Sequence, residues 1–128
     1  MATLSRQMTV TMKDRVGALA DLTEKVKGAG VNILALCAWV QNGTGHLLML
    51  TDDNRAACQA IQSLVGQCRE DEVISLTLPN TPGALNEAAR KLADAGIGIE
   101  LAYASAGEAL QSAIVLKTTD NARAAGLV

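Results

Sequence analysis

Apolar and polar residues alternate from Met8 to Met12, with Met8, Val10 and Met12 apolar and Thr9 and Thr11 polar. A period of two predicts a strand with one buried face. The same alternation returns at Ile74, Leu76 and Leu78 around Ser75 and Thr77, a shift of 66 positions from Met8 to Ile74. Beyond each strand the period lengthens. Leu19, Leu22 and Val26 in the first copy, and Leu85, Ala88, Ala89 and Leu92 in the second, recur at three and four. That spacing predicts two amphipathic helices. Asp21 with Lys25, and Glu87 with Lys91, stand acid before base at i,i+4 on the outer faces, which supports helix and a solvated surface. A glycine follows each helix, Gly30 or Gly96, as a left-handed C-terminal position favours.

The first copy continues with a strand over 32–40, a turn containing "NGTG" and an apolar strand over 46–50. Two apolar runs joined through Asn-Gly form a hairpin signal. "DNRAACQAIQSLVG" then reads as a second helix, capped near Asp53 or Asn54, with Ala57, Ile61, Leu64 and Val65 on one stripe and Gly66 closing it. The second copy repeats the order: a strand over 99–105, a turn at Gly107, a strand over 113–117 and a helix in "DNARAAGLV". Without a gap, "GALADLTEKVKGAGVNI" lies over "GALNEAARKLADAGIGI", sharing Gly17/Gly83, Ala18/Ala84, Leu19/Leu85 and Ile33/Ile99. The chain therefore divides into domain 1 over 1–70 and domain 2 over 71–128. The expected class is α+β, two ferredoxin-like βαββα(β) repeats with helices on one face of antiparallel sheets. A short fourth strand over 67–70 closes the first repeat. The second has no counterpart, so its C-terminal strand is missing and an edge needs cover.

Composition narrows the function. The 128 residues are 49% hydrophobic, sufficient for a core. A net charge of -2 with one Tyr, one Trp and no Phe provides neither a basic footprint nor stacking surfaces for nucleic acid. The sequence has no apolar run long enough for a membrane span and no signal-peptide-like start, so a cytoplasmic protein is expected. Cys37, Cys58 and Cys68 are odd in number and lack CxxC spacing. They read as small hydrophobes, with neither a disulfide nor a metal site expected. No cofactor is implied.

The repeated elbows "DRVGAL" (14–19) and "NTPGAL" (80–85) carry the candidate chemistry. Gly17 and Gly83 lack a Cβ, which leaves room for a ligand beside first-turn amides that have no intrahelical acceptors. Those amides suit a carboxylate at the positive helix end. Asp14, Asn80 and Asn32 can hold an ammonium group. The bland alternative makes Asp14 and Asn80 N-caps, worth about 1 kcal/mol each, and Pro82 a first-turn proline. His46, the sole histidine, reads as a strand-end surface residue. Trp39 and Tyr103 fall on second strands, where Tyr103 borders the presumed groove.

With "DRVGAL" followed by "GVNI", and "NTPGAL" followed by "GIGI", the chain resembles the ACT domain family of small-molecule-binding regulatory modules, specifically stand-alone proteins with two ACT domains in tandem. The resemblance covers nearly the whole chain. It implies side-by-side domain pairing into an eight-stranded sheet and an amino acid bound between the first loop of one domain and the second strand of its neighbour. Carried over by position, the ligand-binding residues are Asp14, Val16, Gly17, Ala18, Leu19, Asn32, Ile33, Asn80, Pro82, Gly83, Ala84, Leu85 and Tyr103. Gly98 replaces the second copy's asparagine and Asn80 replaces its acid, so the two sites are not equivalent. The expected protein is a non-enzymatic sensor, a homodimer that binds an amino acid or related metabolite and regulates a partner enzyme or pathway. The alternatives are a structural dimerisation module without ligand, or a small ferredoxin-like enzyme, which would need an acid, base and nucleophile that spacing does not bring together.

Overall fold

A computed structural model describes residues 2–105, 108 and 110–128. Its elements run β1 (Ala2–Lys13), α1 (Ala18–Gly28), β2 (Ile33–Gln41), β3 (Thr44–Thr51), α2 (Asn54–Ile61), β4 (Gln67–Pro79), α3 (Ala84–Asp94), β5 (Ile99–Ser105), β6 (Gln111–Thr118) and α4 (Asn121–Leu127). The alternating strands and three-four helices are present as the periodicities predict. The turn expected at Gly107 lies outside the described residues.

Two compact units divide the chain: residues 6–71, and residues 72–128 together with the first few residues of β1. In the unit of residues 6–71 the strand order is β2-β3-β1-β4. β3 pairs antiparallel with β1 (Val10↔Leu47, Met12↔Gly45) and with β2 (Trp39↔His46). Met8, Val10, Met12, Leu47 and Met49 present one face to Leu22 and Val26 of α1 and to Ala57 and Ile61 of α2, forming one buried cluster. The N-cap of α2 is Asp53, whose side chain accepts from the Ala56 amide. That helix ends at Ile61, short of the Gly66 expected to close it. The Gly66 amide instead donates to the Thr11 carbonyl over 2.8 Å.

In the unit of residues 72–128 the order is β1-β4-β6-β5, with residues 2–5 of β1 in the edge position beside β4. Ile74, Leu76, Ile114 and Leu116 face Ala88 and Leu92 of α3 and Ala124 of α4, and Ala2 packs against this cluster. The β4 edge of this unit is thus occupied by residues 2–5 of β1. The described residues form six strands rather than the eight expected of two four-stranded units, because the long β1 and β4 each lend one end to either unit.

One local feature recurs with the repeat. Asn54 Oδ1 accepts from the Thr51 amide and hydroxyl, and its Nδ2 donates to the Arg6 carbonyl. Asn121 Oδ1 does the same with Thr118, and its Nδ2 donates to the Glu72 carbonyl. Each asparagine ties a helix start to the strand before it and to a further strand, β1 for Asn54 and β4 for Asn121.

The cysteines differ from expectation. Cys58 of α2 and Cys68 of β4 form a disulfide with Cα atoms 6.3 Å apart, while Cys37 is free. Sequence separation gave no hint, because a helix and a strand ten residues on meet through the tertiary fold.

Candidate functional site

The elbow before α1 is built by backbone conformation. Gly17 is the N-cap, with φ 86° and ψ 0°, left-handed geometry that a side chain resists. Asp14 therefore does not cap the helix through its side chain. Its amide donates to the Gly43 carbonyl over 3.2 Å, which pins the elbow to the β2–β3 turn. That turn has positive φ at both Asn42 (52°) and Gly43 (75°), the geometry of a two-residue hairpin link. The second unit repeats the arrangement: Gly83 is the N-cap at φ 87°, and the Asn80 amide donates to the Leu110 carbonyl over 2.9 Å. Pro82 precedes that cap and so lies outside the first helical turn. A Cβ at Gly83 would meet nothing within 4 Å, and one at Gly17 only Arg15 Nη1 at 3.7 Å. Positive φ, rather than crowding, explains both glycines.

A cavity of ≈ 380 Å³ opens between the first elbow and the hairpin of the same unit, bordered by residues 12–15, 17–20, 38–40 and 45–47. Pleat alternation divides its strand residues. Ala38, Val40, Gly45 and Leu47 share the face of Met12 and Val10 that carries the helices, whereas Trp39 and His46 belong to the opposite face. There the Trp39 and His46 rings stack, with centroids 5.2 Å apart and planes 9° from parallel. The apolar floor is thus Met12, Ala38, Val40 and Leu47, with Leu19 as the helix-side wall. Leu19 is 45% exposed and Val40 57%, although the three-four spacing had placed Leu19 with the core residues.

Charged groups ring the mouth. Lys13, Asp14 and Arg15 border the cavity, and the Arg15 guanidinium donates to the Asp21 carboxylate. The amides of Leu19 and Ala20 fall in the first turn of α1, where a helix has no internal acceptors for them and its positive end attracts anions. The cavity therefore offers amide donors, one carboxylate, two cationic side chains and an apolar floor.

The predicted residues divide by place. Asp14, Gly17, Ala18 and Leu19 are brought together at this cavity. Val16, in the same loop, is fully exposed at 100% and does not line it. Asn32 and Ile33 lie at the other end of α1, in a hollow with Gly30 and Val31, where the Asn32 amide donates to Asp52 Oδ1 over 3.0 Å. In the second unit, Pro82 and Ala84 line a hollow of ≈ 120 Å³ with Leu78, Glu87 and Val128, while Asn80, Gly83 and Leu85 are not among its lining residues. Tyr103 sits mid-strand on β5 opposite Val115. Ser105↔Ala113 holds the register position of Trp39↔His46, and Pro79 and Thr81 stand where Lys13 and Arg15 do. The two elbows are chemically distinct. Lys13, Arg15, Ala38 and Val40 are additions to the predicted set, and hairpin counting outward from Asn42-Gly43 is the signal that locates the last two. Among the described residues, no group of three or more His, Cys, Asp or Glu could hold a metal ion. No helix there is long and apolar enough to cross a membrane.

Neither a family model nor a curated protein matches the sequence. Its backbone is similar to that of protein BT0572 from Bacteroides thetaiotaomicron, with a TM-score of 0.88 at 23% identity over 98% of this chain and 87% of the other. The regulatory subunit of aspartate kinase from Thermus thermophilus, in its ligand-free form, superposes with a TM-score of 0.71 at 14% identity over 98% and 93%. For the aspartokinase α and β subunits the values are 0.69, 15%, 98% and 93%. At these identities the likeness shows the fold, an α+β architecture consistent with ACT-like ferredoxin folds.

Proposed function

We propose that the chain is a non-enzymatic regulatory module, an ACT-like tandem, that binds an amino acid or related small carboxylate at the elbow of residues 14–20 and controls a separate metabolic enzyme. The observation that carries this reading is the ≈ 380 Å³ cavity that joins first-turn amides, Asp14 and an apolar floor. Its size lies at the lower end of the range of small-molecule sites. The α-carboxylate would accept from the Leu19 and Ala20 amides, the ammonium group would face Asp14, and an apolar side chain would rest on Met12, Val40 and Leu47. The regulatory role is supported by neighbours of the same fold that are themselves regulatory subunits of aspartate kinase. Regulation follows only if the partner enzyme contacts the bound and free states differently.

Self-association belongs to the same proposal. β2 is an edge strand, and Leu34 on it is 61% exposed, a surface that a second copy would cover. A protein that dimerises with its cavity unused is the rival reading.

A thermal-shift screen of the dialysed protein against the twenty amino acids and their keto acids separates the two. A ligand at 100 times its Kd adds about 2.7 kcal/mol and raises the midpoint. A selective rise supports the sensor, and a flat screen with a persistent dimer supports the rival.

A further inference from the structure

We infer that Cys58 and Cys68 are a redox-active pair, a site of thiol–disulfide exchange with a dithiol reductant, whose oxidation state sets whether the α2–β4 connection is closed or open. The site is accessible. Both cysteines are half-buried, packing against the core of residues 6–71 on one side. On the other they line an open groove of ≈ 520 Å³ together with Arg55, Gln59, Gln62 and Glu70. A disulfide placed so is reachable by a second thiol, unlike one sealed in a core.

Charge directs the exchange. Arg55 stands three residues before Cys58 on α2, on the same helical face, and favours negative charge on the Cys58 sulfur. Glu70, two residues after Cys68 on the same strand face, is paired with the Arg6 guanidinium at 3.7 Å, so the Arg55 charge decides which sulfur leaves. The reductant's thiolate therefore attacks Cys68 Sγ. The Cys58–Cys68 bond breaks, its electron pair leaves on Cys58 as thiolate, and a mixed disulfide forms at Cys68. The reductant's second sulfur, as thiolate, then displaces Cys68. Two electrons and two protons pass to the pair, leaving two thiols and the reductant as its own disulfide.

The bond closes a short loop over a sequence separation of 10. Residues 62–67 of that loop follow the end of α2, and their link to the sheet includes the Gly66 amide bond to the Thr11 carbonyl. Cutting the bond restores the entropy of the open loop, so opening becomes more frequent.

The test uses the full chain, with dithiothreitol as the probe. Thiols are counted by maleimide mass shift, and amide exchange is followed at Gly66. Protein purified without reductant and then denatured should label once, at Cys37, and should label three times after native treatment with millimolar dithiothreitol. Reduction should also speed Gly66 exchange by about ten- to a hundredfold, the range set by loop-closure entropy. The Cys58→Ser and Cys68→Ser variants should each show the fast exchange without reductant. Three free thiols at the outset, a pair that reduces only after denaturation, or Gly66 exchange indifferent to reduction would each overturn the inference.

Discussion

Replacing Gly17 with alanine isolates the physics of the elbow. The residue holds φ 86° and ψ 0°, and an added Cβ would meet only Arg15 Nη1, at the ordinary contact distance of 3.7 Å. The cost is therefore backbone strain alone, about 1–2 kcal/mol for an L residue in the left-handed region. Asparagine tolerates that region better, so Gly17→Asn should cost roughly half as much or less. Gly28→Ala is the counter-case: a Cβ there meets nothing and its backbone is helical, so alanine should stabilise by about 0.5–1 kcal/mol. Trp39 is the only tryptophan and belongs to the unit of residues 6–71, so its fluorescence in a urea titration reports on that unit. At an m-value of roughly 1–2 kcal/mol/M, Gly17→Ala should lower the midpoint by about 0.5–2 M. An unchanged midpoint, or asparagine as costly as alanine, would refute the assignment of this glycine to backbone conformation.

Three further outcomes are expected. Asn54→Ala and Asn121→Ala each remove an acceptor for a threonine amide and hydroxyl and a donor to the first strand, and should each destabilise by about 1–3 kcal/mol in chemical denaturation. Asp53→Ala deletes the side-chain cap on the Ala56 amide and should cost about 1 kcal/mol, read as a lowered helix signal and midpoint in circular dichroism. Val40→Glu sets a carboxylate at a half-exposed position on the cavity floor. It should weaken binding of the ligand found by thermal shift about tenfold or more in isothermal titration, with the unfolding midpoint little changed.

Local periodicity carried most of the fold. Gly30 and Gly96 adopt φ 72° and 73° because a helix that must turn sharply needs a left-handed residue, and that demand is visible in the sequence. Asn42-Gly43 marked the hairpin for the same reason. What escaped was non-local. Nothing around residues 2–5 says that they join the second unit, since only the vacant edge beside β4 gives them a place. The Cys58–Cys68 bond likewise depends on how α2 meets β4. At the candidate site, Asp14, Gly17, Ala18 and Leu19 border one cavity because they are close neighbours in the chain. Asn32 lies apart from that cavity within its own unit, because α1 spans 11 residues, about 16 Å of rise, and Asn32 stands beyond its far end. Leu19 matched the helical stripe yet sits beyond the core, because the first turn of α1 overhangs the cavity.

The most direct test of the binding site is an amide chemical-shift map of the 128-residue chain, titrated with whichever amino acid or keto acid gives a thermal shift. The account predicts that the largest changes fall on residues 14–20, with Leu19 and Ala20 foremost, and on 38–40 and 45–47 of the hairpin. Changes centred on residues 30–33 or 80–85, or none at a saturating concentration, would contradict it.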